Sequence, residues 1–447
     1  MGWRARTVLA VGLAAGWGGA GCGGAGDVAA PETPSAQTGA QCTVPGQNQF
    51  VRTTMRDIYL WYRELPDPDT ASFSSPEAYL EAVRYRALDS SYSFITGRAE
   101  NDAFYSESQF IGFGFGMTLL SADELRVTEV YPGSPAAEAG LQRGAQLLAV
   151  NGRTISSLVS AGELNSIFGA SQVGVSAQVR FSDRSGAERD VQMTKRVVTI
   201  PTASLTRTFA SGGRAVGYVH FRNFVTPSTA ALNEAFAELE ASGANDLVLD
   251  LRYNGGGLVS VAQHLGGLIG GARTRDRAFV QFVHNDKNTG RNSTLNFPSP
   301  AHALGLERLV VIATRSSASA SELVVNGLRP FVEVTVVGER TYGKPVGQYG
   351  YNFCDKVLYP VAFSTQNARG EGDFFDGIPA DCAAPDDLGH DLGDGAEGSL
   401  AEALRYLRTG RCSAVAAADA RAQSARRPGL ERQPRFEDGW QALLGAY

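Results

Sequence analysis

The chain has 447 residues, with 40 basic and 46 acidic side chains and a formal net charge of −6. This length exceeds what one hydrophobic core usually organises, so we expect two or more domains. The acidic balance and the lack of a basic run argue against a nucleic-acid partner.

Residues 1–22 have the pattern of an export signal. Two arginines precede an apolar run at 8–15 that is too short to span a bilayer, and small residues then lead to Cys22. The pattern resembles a bacterial lipoprotein signal, although Gly19 stands where leucine is favoured. It implies removal of residues 1–21, lipidation of Cys22, and a place in the periplasm or outer envelope with membrane contact only through that anchor. Ordinary secretion is the alternative.

Two segments precede the first β-rich region. Residues 22–46 are rich in Gly, Ala, Pro, Ser and Thr, which predicts a flexible tether. Residues 47–105 contain apolar residues at helical spacing, interrupted by prolines, which predicts an N-terminal helical segment.

Residues 106–197 change to short strand patterns separated by glycine turns. The run from Gly112 to Gly152 closely resembles a PDZ domain. The resemblance implies a loop that binds a chain-terminal carboxylate through backbone N–H groups, beside a strand edge that pairs with the peptide. A PDZ domain that only gates or braces its neighbour is the alternative. The loop residues are Gly112, Phe113, Gly114 and Phe115.

Residues 198–384 alternate strand and helix patterns and predict an α/β core. The buried-type strand at 247–251 leads into Arg252-Tyr253-Asn254-Gly255-Gly256-Gly257, and a helix follows at 259–269. Glycines here allow backbone N–H groups to approach a ligand closely. A phosphate-binding loop is the rival interpretation, but this stretch of sequence has neither the Gly-Lys-Ser/Thr nor the Gly-x-Gly-x-x-Gly pattern of such loops.

A serine-rich turn follows the strand predicted at 309–313. It reads Ser316-Ser317-Ala318-Ser319-Ala320-Ser321-Glu322 and precedes an apolar helix face. This strand-to-helix turn would expose a hydroxyl where unpaired backbone N–H groups also point. Glu322, in the first turn of the helix, is expected to complement the helix dipole.

A serine hydroxyl needs a base, and Lys344 is the nearest candidate along the chain. It follows a second predicted strand at 332–337. A lysine amine can accept a proton only when it is neutral, and burial favours that form. Gln348 lies four residues further on and could hold the amine. A Ser/His/Asp arrangement using His220 is less favoured than a structural role for that histidine.

Ser-Ala-Ser-Ala-Ser-Glu followed by Gly-Lys-x-x-x-Gln resembles the C-terminal processing peptidases, or tail-specific proteases, which are serine/lysine endopeptidases with an embedded PDZ domain. The resemblance implies Ser319 as nucleophile, Lys344 as general base and Gln348 as the orienting residue. It places the oxyanion donors at the backbone N–H groups of Ala320 and of Gly256, or of a glycine one position away. Pro345 departs from the pattern, since many relatives have glycine there.

The fold class that follows is multidomain α+β: an N-terminal helical segment, a PDZ-like β domain and a crotonase-like α/β peptidase core. Protein or peptide substrates are expected, and no metal or organic cofactor. The alternative function is a catalytically silent PDZ scaffold that binds protein C-termini. Residues 385–447 are expected to form a C-terminal helical extension.

Four cysteines remain if Cys22 is lipidated, an even number that favours disulfides in an exported protein. Their spacing is not that of a metal site. Three connectivities are possible; the preferred one joins Cys354 to Cys382 and Cys42 to Cys412.

Overall fold

The computed structural model describes residues 41–164 and 166–416. The predicted export signal, Cys22 and most of the predicted tether therefore lie outside the described residues, as does the chain after residue 416. Within the described ranges, no helix is both long and apolar enough to cross a membrane.

The N-terminal module is helical, as expected, and also contributes one strand. Thr43 and Ser75 start its first two helices, because their hydroxyls accept the N–H groups of Gly46 and Ala78. Its elements are α1 (Val44–Ile58), α2 (Pro76–Val83), β1 (Phe94–Gly97) and α3 (Arg98–Glu107).

The PDZ-like module is a five-stranded sheet in the order β3-β4-β5-β7-β8, with the short β6 paired to β5. Strand β3 has a partner on one side only, so its other edge is unpaired among the described residues. Strands β2 and β9 pair with each other in a separate two-stranded sheet. The elements are β2 (Gln109–Gly112), β3 (Phe115–Ser121), β4 (Glu124–Val130), α4 (Pro135–Glu138), β5 (Gln146–Val150), β6 (Arg153–Thr154), α5 (Ile155–Ala161), β7 (Ser176–Ser182), β8 (Glu188–Thr194) and β9 (Arg196–Thr199).

A six-stranded sheet in the order β10-β11-β12-β15-β16-β21 forms the α/β core. From β11 to β21 all neighbours are parallel. Its central strands are apolar on both faces because helices cover both sides. The elements are β10 (Ala203–Ser211), β11 (Arg214–Phe221), α6 (Ser228–Ala241), β12 (Asp246–Asp250), α7 (Val259–Gly270), β15 (Arg308–Ala313), α8 (Ala320–Leu328), β16 (Glu333–Gly338), β21 (Cys382–Ala383) and α9 (Gly398–Thr409).

Two smaller sheets join the core to the N-terminal module. One has the order β14-β13-β20-β17, and the other has the order β1-β19-β18. Apolar side chains of α1 and α2 pack against the strands around Val346, Phe353 and Leu358. The strands are β13 (Ala278–His284), β14 (Ser293–Asn296), β17 (Val346–Gln348), β18 (Tyr351–Phe353), β19 (Lys356–Tyr359) and β20 (Val361–Gln366).

Buried ion pairs join the PDZ-like module to the core. Glu129 of β4 pairs with Arg222, which follows β11, and both side chains are buried. Arg222 also donates to the carbonyl of Tyr253. Arg143 donates to the Tyr253 hydroxyl at 2.6 Å and pairs with Asp386. The PDZ-like module thus contacts the loop that follows β12.

The disulfide pairing preferred from the sequence is wrong, although all four cysteines are paired. Cys42 joins Cys354, and Cys382 joins Cys412. Cys354 lies in the turn between β18 and β19, against which α1 packs, so it meets Cys42, two residues before the start of α1. Cys382 lies in edge strand β21, near the end of α9. Cys354 and Cys382 both flank the end of the core in the sequence, but this did not predict their disulfide partners.

Candidate active site

Three neighbouring parallel strands end at the same edge of the core sheet, and the segment after each carries one part of the site. Strand β12 leads to the glycine loop at 251–257, β15 to the serine turn at 314–319, and β16 to the loop at 339–345 that contains Lys344. The Ala318 N–H donates to the Asn254 carbonyl, and the Tyr342 N–H donates to the Ser317 carbonyl, each at 3.0 Å. These hydrogen bonds join the three segments.

Ser319 occupies the residue before α8 and has φ 55° and ψ −112°. A positive φ is costly for a non-glycine residue and persists only where the surroundings impose it. The turn leaves the Ser319 side chain partly exposed on a cavity, while Ala318 and Ala320 are buried. A hydroxyl therefore stands at the mouth of a helix, as the sequence predicts.

Lys344 lines the same cavity as Ser319 and is 7% exposed. Within the described part of the chain, its ammonium has no carboxylate within ion-pair distance. Burial lowers the pKa of Lys344 to about 8, although the negative charges of Asp89 and Glu322 oppose that effect. About a tenth of the Lys344 amine is therefore neutral at pH 7, and about half near pH 8.

Gln348 fixes the position of the Lys344 amine. Lys344 Nζ donates to Gln348 Oε1 at 2.5 Å. The Gln348 amide nitrogen donates to the carbonyls of Tyr92 at 2.5 Å and Tyr359 at 2.8 Å. Because carbonyls can only accept, these two bonds orient the amide with its oxygen toward Lys344.

The cavity beside Ser319 is mostly apolar. Its lining includes four rings, Leu258 and Val259, and Lys344 is its one charged lining residue. The Tyr359 hydroxyl donates to Asn101 Oδ1 at 2.7 Å, so this part of the polar lining is already hydrogen-bonded. The rings belong to Phe94, Phe104, Tyr105 and Tyr359.

The N–H groups expected as oxyanion donors differ in their hydrogen bonding. The Gly256 N–H donates to Asn254 Oδ1 at 2.9 Å, so it already has an acceptor. In the described part of the chain, the N–H groups of Gly255, Gly257 and Ala320 have none. Gly256 contributes differently: a Cβ there would lie 2.9 Å from the Ala320 nitrogen. Its missing side chain leaves the Ala320 N–H accessible.

Glu322 does more than complement the helix dipole. It is fully buried, and its carboxylate accepts from the backbone N–H groups of Ser319 at 2.9 Å, Gly343 at 2.7 Å and Lys344 at 2.8 Å. It also accepts from the Thr341 hydroxyl at 2.5 Å. Burial raises the pKa of Glu322, and these donors oppose the rise. The carboxylate joins the serine turn to the lysine loop, a role that local sequence did not reveal.

The remaining candidates lie elsewhere. His220 is buried in β11, and its Nδ1 is 2.6 Å from Ser204 Oγ. It does not line the cavity, so no Ser319–His pair forms. In the PDZ-like module, the rings of Phe113 and Phe115 are buried against Phe168. At Gly114, with φ 90°, the loop turns from β2 into β3 and no acceptor for its N–H is found in the described ranges.

Comparison with known families agrees with this architecture. Residues 215–383 match the peptidase family S41 domain, residues 46–94 match the peptidase S41 N-terminal domain, and residues 126–164 match a PDZ domain. The resemblance to processing peptidases and the predicted fold class are thereby confirmed.

Individual relatives are similar at modest identity. A carboxyl-terminal-processing protease of Synechocystis sp. is 27% identical over 233 residues, 52% of each chain. The chloroplastic C-terminal processing peptidase of Tetradesmus obliquus is 26% identical over 238 residues, 50% of this chain and 48% of that protein. The chain thus spans about half the length of these curated relatives.

One solved structure, of a protein described as an S41 protease from Bacteroides fragilis, superposes with a TM-score of 0.64 at 26% identity. The superposition covers 80% of this chain and 96% of that one. The similarity therefore extends across the modules rather than being confined to the core.

We expect Glu322→Gln to lower the free energy of unfolding by about 1–3 kcal/mol, because the new amide group would face donors that need an acceptor. Urea unfolding measures this. The matched control is Glu333→Gln, an exposed glutamate on β16, which should change stability by less than about 0.5 kcal/mol. Equal effects of the two substitutions would contradict the bridging role.

Proposed function

Because the chain carries an S41 peptidase domain, that family's N-terminal domain and a PDZ domain, we propose that it is a serine-type endopeptidase with a Ser319–Lys344 dyad. The main support is that two side chains line one cavity. They are Lys344, which is buried and has a lowered pKa, and Ser319, which lies at the N-terminus of α8. Gln348 is the residue that orients the lysine.

The mechanism is acyl transfer. Neutral Lys344 takes the hydroxyl proton of Ser319 while Oγ forms a bond to the peptide carbonyl carbon. The carbonyl oxygen becomes an oxyanion, and the C–N bond then breaks as the Lys344 ammonium returns the proton to the leaving amine. Water deprotonated by Lys344 attacks the acyl-enzyme, and Ser319 leaves with that proton.

The oxyanion donors that we propose are the backbone N–H groups of Ala320 and Gly257. Ala320 is the first residue of α8, so its N–H belongs to the unpaired helix start. Gly257 lines the cavity, as do Gly255 and Gly256. Fixed backbone donors suit a developing negative charge because they need no reorganisation during the reaction.

Substrates are proteins or peptides, engaged through their C-termini by the PDZ domain in this proposal. The loop Gly112, Phe113, Gly114 and Phe115 precedes β3, whose outer edge has no partner strand in the described residues. A peptide added at that edge would lie with its carboxylate toward the loop.

The proposed location is outside the cytosol. Two disulfides, Cys42–Cys354 and Cys382–Cys412, favour an oxidising compartment. Lipidation of Cys22 stays a prediction from sequence.

Ser319→Ala should abolish cleavage of an unstructured protein substrate, because no other group can form the acyl-enzyme. Lys344→Ala should lower kcat by about 10²–10⁴-fold, the usual contribution of a general base. Gel assays with purified variants of equal folded content measure both. Turnover equal to the wild type in both variants would eliminate the dyad; an inactive wild type that still binds C-terminal peptides would favour the scaffold alternative.

The pH dependence follows from the pKa of Lys344, which is about 8. The base works when neutral, so kcat/KM should rise with pH through about 8 and then level off. Initial rates on a peptide without titrating groups test this between about pH 6 and pH 10. An acidic limb near the ordinary histidine pKa of about 6.5 would instead indicate a histidine base.

The apolar cavity predicts the residue before the scissile bond. A small or medium apolar side chain should fit, whereas burying an unmatched polar or charged group costs about 1–3 kcal/mol or more. Peptides that differ only there, with Ala, Val, Leu, Asp or Lys, should show kcat/KM about 10- to 100-fold lower for the last two. Equal cleavage of all five would show that this cavity does not receive that side chain.

A further inference from the structure

The loop at residues 89–93, here called the Asp89 loop, belongs to the N-terminal module and lies against the lysine loop. Asp89 is completely buried. Its Oδ1 accepts from the N–H groups of Tyr92 at 2.8 Å and Ser93 at 3.0 Å. Its Oδ2 accepts from the Ser93 hydroxyl at 2.6 Å and the Tyr59 hydroxyl at 3.0 Å. One carboxylate therefore fixes the shape of this loop.

Both carbonyls that hold the Gln348 amide depend on the Asp89 loop. The Tyr92 carbonyl belongs to the loop itself. The Tyr359 carbonyl lies two residues before Val361, whose N–H donates to the Ser93 hydroxyl at 3.0 Å. That hydroxyl is the one bonded to Asp89. The orientation of Gln348, and with it the position of the Lys344 amine, therefore traces back to a single buried carboxylate.

A second set of contacts reaches the residues just before Lys344. The Tyr92 hydroxyl donates to the Gly343 carbonyl, and the hydroxyls of Ser91 and Tyr342 are 3.2 Å apart. Glu322 holds the same loop from the opposite side through the N–H groups of Gly343 and Lys344. The lysine loop is thus held between the nucleophile helix and the N-terminal module.

We propose that Asp89 is a positioning residue for the reaction: it shapes the loop that orients Gln348 and thereby aligns the Lys344 amine. The inference rests on the proposed serine/lysine activity. Asp89 touches neither Ser319 nor the cavity, so it acts only through other residues. In this proposal the S41 N-terminal domain contributes directly to the geometry of the catalytic site.

The charge of Asp89 gives the proposal a second readout. The ionisable groups around the Lys344 amine are Asp89 from the N-terminal module and Glu322 from α8, with the Tyr92 ring 5.9 Å away. Both carboxylates raise the pKa of Lys344 against the larger effect of burial. Removing the charge of Asp89 should therefore lower that pKa further.

Two substitutions separate shape from charge. Asp89→Asn keeps an oxygen for the N–H groups of Tyr92 and Ser93, and its amide can donate to the hydroxyls of Tyr59 and Ser93, which can accept instead. Asp89→Ala removes all four hydrogen bonds that the carboxylate accepts. The matched control is Asp67→Asn in the same module, where Asp67 pairs with Arg52 and Arg56 at the surface.

The experiment measures kcat and KM from about pH 6 to pH 10 for the full chain, with thermal unfolding to establish folded content. We expect Asp89→Ala to lower the plateau kcat by about 10- to 100-fold with KM little changed, since a misplacement of about 1 Å can cost about 100-fold. We expect Asp89→Asn to move the acidic limb of kcat/KM to lower pH, by up to about one unit. Asp67→Asn should match the wild type.

A folded Asp89→Ala variant with the wild-type plateau kcat would overturn the proposal. If that variant does not fold, Ser93→Ala decides, because it removes only the hydroxyl that links Asp89 to the Val361 N–H: a wild-type plateau kcat overturns the proposal, and a lower plateau kcat supports it. Ser319→Ala is measured in parallel. Loss of activity in Ser319→Ala together with wild-type behaviour of the Asp89 variants refutes this inference alone, whereas equal turnover by wild type and Ser319→Ala refutes the proposed function itself.

Discussion

The Lys344 amine is largely buried, and the surrounding contacts hold it there without an ion pair among the described residues. Desolvation disfavours the ammonium, so the pKa falls to about 8. A direct salt bridge would restore the charge and remove the base. The two carboxylates that raise its pKa accept hydrogen bonds from other groups instead. Glu322 accepts from three backbone N–H groups and a hydroxyl, and Asp89 accepts from two N–H groups and two hydroxyls. Both carboxylates therefore affect the Lys344 amine through their charge and through the backbone segments that they hold.

Parallel strand topology supplies the other requirement, which is to bring three distant segments together. Strands β12, β15 and β16 are neighbours in register, so their following segments meet at one sheet edge. Side chains of the serine turn then bond to the glycine loop: Ser317 Oγ donates to the Leu251 carbonyl at 2.7 Å, and Ser321 Oγ to the Asn254 carbonyl at 2.9 Å. The serines that flank Ser319 therefore have structural partners, which leaves Ser319 as the one directed at the cavity.

The outer modules support the same edge from two sides. On one side, the Tyr92 carbonyl of the N-terminal module accepts from Gln348 in β17, and the Cys42–Cys354 disulfide joins this module to the β18–β19 hairpin. On the other side, two residues of the PDZ domain reach Tyr253 in the glycine loop. Glu129 pairs with Arg222, which donates to the Tyr253 carbonyl, and Arg143 donates directly to the Tyr253 hydroxyl. Removing one partner of a buried pair leaves an uncompensated charge, which is strongly unfavourable. Neither module is therefore energetically independent of the core.

The sequence by itself determined the order of the modules, the strand–turn–helix setting of Ser319 and the spacing to Lys344 and Gln348, because apolar periodicity and glycine turns are local properties. The strands predicted at 309–313 and 332–337 correspond to Arg308–Ala313 and Glu333–Gly338. Only the tertiary structure decided which cysteines pair, that the Gly256 N–H is hydrogen-bonded to Asn254, and that Asp89 and Glu322 surround the lysine loop. Those outcomes depend on which segments become neighbours after folding, and a buried carboxylate surrounded by donors looks, in sequence, like any other acidic residue.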